Sequence, residues 1–158
     1  MRWIGLTVPI TIERHFVLVD SNLLIYAINS SSPKHQIAQK FIRDHSGEFT
    51  LAHQNILEVL RVLTHPKFPS PMEINHAAEA LSRIVDAAQL IFPALETYHV
   101  AITMIKDYKI IADKIYDAYL VATMLSNGIT EIATDNEKDF RIFPQLKIIN
   151  PFKETVQN

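Results

Sequence analysis

Short apolar runs recur along this chain, and helical patterns fill the gaps between the first four of them. Residues 15–19, 47–52, 89–93, 130–134 and 146–150 read as strands. Residues 21–28, 33–45, 54–64, 72–87, 96–108 and 113–127 read as helices, from apolar positions repeating at three and four residues. Strands separated by helical crossovers pair in parallel, and a parallel sheet needs both faces covered. The expected fold class is therefore α/β: a three-layer α/β/α arrangement around a parallel sheet of about five strands. A length of 158 residues covers one such domain and is short for two. No internal repeat or composition shift divides it. The expected boundaries are an N-terminal extension at 1–14, the domain at 15–153 and a tail at 154–158.

Composition removes several classes of function. The chain has no cysteine, so disulfides, thiolate zinc sites and a Cys nucleophile are out, and a reducing cytoplasm fits. Three glycines leave no phosphate loop or dinucleotide fingerprint. A net charge of -2 offers no broad basic field for non-specific nucleic-acid binding. No apolar run approaches the roughly 18 residues of a membrane span. The opening stretch, broken by Pro9 and Glu13, makes a poor signal peptide.

What stands out is where the acids fall. Asp20 is the only formal charge between Arg14 and Lys34, and it follows the first strand directly. Asp117 is the only charge in residues 115–125, near the start of a helix apolar nearly all round, which reads as buried. Glu58 sits among apolar helical residues, and Asp135, Glu137 and Asp139 follow the fourth strand. Each has an ordinary explanation. Asp20 can cap a helix. Asp117 can favour a helix N-terminus, although Asp113 is the better cap candidate. Glu58 can pair with Arg61 one turn on, and an acidic loop can simply be solvated. Taken together these explanations weaken. In an open parallel sheet, ligands bind beyond the carboxyl ends of the strands where strand order reverses. Asp20 and Asp135 both sit at such ends. No arginine or lysine is expected to pair with Asp20 or Asp117, and an unpaired buried carboxylate costs several kcal/mol. A divalent cation is the other solution, and oxygen-only ligands select a hard ion, Mg²⁺ or Mn²⁺. The seven histidines show no metal-binding spacing and read as structural or exposed.

Four stretches carry a resemblance. "VDSNLLIYA" resembles the first motif of PIN-domain nucleases, a hydrophobic strand ending in Asp followed by Ser or Thr and then Asn. "EVLRVL" is similar to the second, a helical Glu, and "DAYLVATMLSNG" to the third, an Asp opening an Ala-rich helix closed by Gly. "ATDNEKDF" matches the fourth, Thr-x-Asn-x-x-Asp-Phe. The order and spacing hold over residues 16–152, and "VLTHPKFPSPM" is similar to the inter-helix segment of one bacterial branch.

The resemblance implies a metal-dependent ribonuclease of the VapC toxin type, which hydrolyses RNA phosphodiester bonds with Mg²⁺ or Mn²⁺. Carried onto this sequence, Asp20, Glu58, Asp117 and Asp139 form the acidic pocket. Asp20 and Asp117 are the expected direct metal ligands. Asp135 competes with Asp139 for the fourth place, because the family puts its last acid at either position. Ser21, Asn22, Thr134 and Asn136 match supporting polar positions. Expected partners are RNA, a cognate antitoxin that inserts a basic residue into the pocket, and a second copy in a homodimer, with no membrane. Lys106, Lys109, Lys114, Lys138 and Arg141 flank the third and fourth motifs as candidate contacts for the RNA backbone. The alternative is a catalytically silent PIN-like binding module. A phospho-accepting receiver domain fits less well, since it wants paired acids at the end of the first strand.

Overall fold

The computed structural model describes residues 16–153. The extension at 1–14 and the tail at 154–158 lie outside the described residues. The elements run β1 (Val17–Val19), α1 (Ser21–Ile28), α2 (His35–Asp44), β2 (Phe49–Ala52), α3 (His53–Leu63), α4 (Ile74–Val85), β3 (Gln89–Ile91), α5 (Thr97–Asp107), α6 (Lys114–Ser126), β4 (Glu131–Ala133), α7 (Glu137–Phe140) and β5 (Lys147–Ile149). Every element expected from the pattern is present, with each strand trimmed to its hydrogen-bonded centre. The short helix α7 was not expected. Four residues are too few for a helical period to show.

The five strands form one parallel sheet in the order β3-β2-β1-β4-β5. The chain first winds outward from β1 to β3, then returns through α5 and α6 to place β4 on the other side of β1. Strand order therefore reverses between β1 and β4, and the carboxyl ends of those strands are where an open parallel sheet of this kind offers a ligand crevice. Successive residues of β1 point to opposite faces. Leu18 joins the core beneath α5 and α6, with Val121, Met124, Ile132 and Phe140. Val17 and Val19 join the core beneath α1, α3 and α4, with Leu23, Val59, Leu63 and Leu81. The expected three layers follow from this division.

Local chemistry fixes the element ends near the crevice. Asp20 takes the N-cap position of α1, in extended backbone, and its Oδ1 accepts the Ser21 N–H at 2.8 Å. The Asn55 side chain accepts the Ala52 N–H at 3.2 Å, tying the first turn of α3 to the end of β2. Helix α6 closes as expected at Gly128. That residue has φ 73°, the Gly128 N–H reaches the Leu125 carbonyl at 3.1 Å, and the Ile129 N–H reaches Met124 at 2.9 Å. At the other end Asp113 occupies the N-cap position but makes no capping bond with its side chain, so it does not play the role expected of it. Only the C-terminal part of α6 is well buried. Ile115, Tyr116 and Tyr119 face outward, so the expected burial all round is corrected there. Among the described residues no helix is long and apolar enough to cross a membrane.

Candidate functional site

Asp20 anchors the crevice from the end of β1. Its side chain is buried, and three donors hold it. Besides Ser21, the Thr134 hydroxyl donates to Oδ2 at 2.8 Å and the Asn22 amide to the same oxygen at 3.2 Å. Thr134 comes from the end of β4, so the bond spans the point where strand order reverses. Asn22 also reaches Thr134 Oγ1 at 3.1 Å and accepts the Asp135 N–H at 3.2 Å. Thr134 Oγ1 in turn accepts the Asn136 N–H at 3.0 Å. The capping reading of Asp20 is thus realised, and the same side chain faces the β1–β4 junction through Thr134.

Glu58 arrives on α3. Its carboxylate accepts the Ser21 hydroxyl at 2.7 Å, and the buried Asn55 amide donates to that hydroxyl at 2.9 Å. No ion pair with Arg61 forms among the described residues, so the surface-pair reading of Glu58 is corrected. Asp139 sits on α7 and accepts a hydrogen bond from the Asn136 side chain. Asp117 projects from the first turn of α6, partly buried. Among the described residues its carboxylate accepts no hydrogen bond.

The electrostatics show that these acids are neighbours. Burial pushes the Asp20 carboxyl up to about 6, with Glu58 and Asp139 adding to the rise and the Thr134 and Ser21 bonds opposing it. Burial likewise pushes Asp117 up to about 7, reinforced by Asp139, Asp20 and Glu58. Residues far apart in the chain therefore feel one another's charge. One expectation needs correction. Lys114 lies one turn before Asp117, slightly opposes its rise, and stands 3.8 Å from Asp139. At that separation, with the lysine largely exposed, it only partly offsets the repulsion. Asp20 and Glu58 have no basic partner among the described residues.

Asp135 behaves differently. Its carboxylate pairs with Lys34 and accepts the Tyr26 hydroxyl at 3.0 Å, so its charge is met by a neighbouring cation. Of the two contenders for the fourth acid, Asp139 is the one that acts on Asp20 and Asp117. As the side chains are placed, no three His, Asp or Glu residues among those described converge on a single ion position. The donor set still suits a hard divalent cation. It is all oxygen, it is negatively charged, and its two most perturbed members gain by ionising next to positive charge. Asp20, Asp117, Glu58 and Asp139 are the residues that could hold it.

A family model for the PIN domain matches residues 17–145. The chain belongs to the PIN domain family. Solved structures agree in fold at low identity. A toxin–antitoxin complex from Klebsiella pneumoniae matches with TM-score 0.63 and 18% identity, over 87% of this chain and 99% of that one. DNA-bound VapBC from Salmonella typhimurium matches with TM-score 0.65 and 11% identity, over 85% and 96%. VapC20 from Mycobacterium tuberculosis, a toxin cleaving the sarcin-ricin loop, matches with TM-score 0.60 and 15% identity, over 77% and 91%. No curated protein matches by sequence.

Three residues of this PIN domain escaped the sequence reading. Asn55 links α3 to both Ser21 and Ala52; a lone Asn three residues before Glu58 on the same helix was the available signal. Lys34 and Tyr26 hold Asp135 from more than a hundred residues away, which no local pattern discloses. Of the candidate RNA-contacting cations, Lys114 is drawn toward Asp139 and Arg141 pairs with Glu137 at 2.8 Å. Lys106, Lys109 and Lys138 are exposed and make no ion pair among the described residues.

Proposed function

We propose that this PIN domain is a metal-dependent ribonuclease acting in the cytoplasm as the toxin of a toxin–antitoxin pair. The observation that carries the reading is the gathering of Asp20, Glu58, Asp117 and Asp139 at the β1–β4 crevice, with Asp20 buried and without a basic partner among the described residues. The structural neighbours support the biological half, since several are toxin–antitoxin assemblies.

A bound Mg²⁺ or Mn²⁺ supplies positive charge for the scissile phosphate and lowers the pKa of water. Asp20 and Asp117 would hold the cation, and Glu58 and Asp139 would complete the negative shell. Ser21, Asn22 and Thr134 occupy the remaining lone pairs of Asp20 and Glu58 and fix their direction. Asn136 does the same for Asp139. Water attacks phosphorus and the P–O bond to the leaving sugar breaks; the protein contributes no covalent nucleophile. Lys106, Lys109 and Lys138 contact the flanking RNA backbone. The test is incubation of the purified chain with total RNA. Discrete fragments should appear with Mg²⁺ or Mn²⁺ and vanish with chelator. Fragments that persist in chelator, or none under any condition, would exclude the metal-dependent nuclease and leave a silent binding module.

A second copy of the chain is the partner proposed for the exposed apolar side chains of α3, α5, α6 and the residue after β3. Leu57, Phe92, Tyr98, Tyr116 and Tyr119 are exposed there. Some of their elements are tied together: the Phe92 ring lies tilted against His53 at 5.3 Å between centroids, the Asn127 amide donates to the Phe92 carbonyl at 2.8 Å, and Gln54 donates to the Tyr116 carbonyl at 3.0 Å. Exposed apolar side chains on adjoining elements suit an interface between copies. Sedimentation should return a dimer mass at micromolar concentration, and Phe92→Glu a monomer. A monomeric wild type would refute the assignment.

A further inference from the structure

The loop after β4 carries three acids, Asp135, Glu137 and Asp139, within five residues. The structure sends them to different places. Only Asp139 acts on the Asp20 and Asp117 carboxylates. Asp135 turns the other way, to Lys34 at the start of α2 and to Tyr26 on α1. The Lys34 ammonium also lies 5.2 Å from the ring centroids of Tyr26 and Phe152, and those two rings meet edge-on at 5.4 Å. Phe152 belongs to the segment that follows β5.

Glu137 is gripped by that same segment. Its carboxylate accepts Lys153 at 2.6 Å and the Asn150 amide at 3.0 Å, with Arg141 closing the other side at 2.8 Å. Asn150 also shapes the segment, because its Oδ1 accepts the Phe152 N–H at 3.0 Å. Residues 150–153 thus bear on the acidic loop twice, through Phe152 on Tyr26 and Lys34, the partners of Asp135, and through Asn150 and Lys153 on Glu137.

A clamped loop reaches the pocket by two routes. The Asp135 N–H fixes the Asn22 amide, whose NH₂ end then donates to Asp20 Oδ2. Glu137 anchors the first turn of α7, the same turn that carries Asp139 two residues on. We infer that Asp135 and Glu137 are positioning residues, held by Lys34 and by a strap at residues 150–153, which together aim Asn22 and Asp139 at Asp20. The inference rests on the proposed nuclease reading for its purpose, but its geometry can be tested separately. A lone surface ion pair contributes little to stability, roughly 0–1 kcal/mol, so the single variants should fold.

The experiment uses the full chain and two readouts. Hydrogen–deuterium exchange of the amides at 135–139 is measured without metal, and Mn²⁺ binding is measured by calorimetry. Lys34→Met should speed exchange across the loop and weaken Mn²⁺ binding by about tenfold, the lower end for loss of a residue that orients a ligand. Lys34→Arg should restore both to near wild type. Glu137→Gln should move both in the same direction. Unchanged exchange and unchanged affinity in Lys34→Met and Glu137→Gln would overturn the clamp. So would Asp135→Asn that abolishes Mn²⁺ binding as fully as Asp20→Asn while loop exchange stays at the wild-type rate, because Asp135 would then be a ligand. If Mn²⁺ fails to bind the wild type, the nuclease reading falls, and the exchange comparison still decides the clamp.

Discussion

Asp20→Asn should lower the rate of RNA cleavage at saturating Mn²⁺ by about 1,000-fold or more, roughly 4 kcal/mol of transition-state stabilisation. The size of the effect follows from what the substitution changes. Asp20 is the most buried acid of the pocket, and it presents acceptors to three donors: Ser21, Asn22 and Thr134. An asparagine keeps the shape but removes the charge that draws in a cation. It also turns an NH₂ group toward at least one of those donors, because both carboxylate oxygens are already used. The local network loosens while the hydrophobic faces of the sheet are untouched, so circular dichroism should show a folded chain. Initial rates on an RNA oligonucleotide, wild type against variant, check the claim. Cleavage within tenfold of wild type would remove Asp20 from the active site.

Asp117→Asn should inactivate the protein and yet stabilise its metal-free form at pH 8. The sign follows from the direction of the shift. The Asp117 carboxyl is raised from 3.8 to about 7 in the fold, so the folded state holds its proton more tightly than the unfolded chain. That contribution to stability is fully present below about pH 4 and is lost as pH rises through about 7. At pH 8 the carboxylate is ionised in both states, and the fold bears the cost of a repelled, partly desolvated charge. After allowance for its partial exposure to solvent, about 1–2 kcal/mol is a reasonable magnitude. Asp117 accepts no hydrogen bond among the described residues, so unlike Asp20 it gives up only a weak attraction to Lys114 when neutralised. The variant should therefore melt about 3–6 °C above wild type at pH 8 without metal. The gain should shrink as pH falls below 7 and vanish only below about pH 4, where the carboxyl carries its proton in the folded and unfolded chain alike. Added Mn²⁺ should raise the melting temperature of the wild type much more than that of the variant. A variant less stable than wild type at pH 8 would show that Asp117 serves the fold.

Much of this was legible from residue order. Helical crossovers between short apolar runs dictate a parallel sheet, and isolated acids at the ends of buried runs mark its crevice. Asp20 and Thr134 meet because β1 and β4 are adjacent, which the register Val19↔Ala133 fixes. What escaped was of two physical kinds. Short features such as α7 carry too few residues for a period. Long-range polar contacts, such as Lys34 to Asp135 and Asn55 to Ser21, depend on side-chain packing between elements that no local spacing encodes. The acidic loop shows the limit clearly. Its spacing offered both Asp135 and Asp139 to the pocket, and only the placement of Lys34 and Tyr26 separates them.

The central claim is that Asp20 and Asp117 hold protons in the metal-free pocket and surrender them to a divalent cation. Calorimetric titration of Mn²⁺ into the full chain at pH 6, repeated in buffers of different ionisation enthalpy, measures that exchange directly. With carboxyls at about 6 and about 7, binding should release roughly one to one and a half protons per ion bound. Binding with no proton release, or binding undiminished by Asp20→Asn, would contradict it.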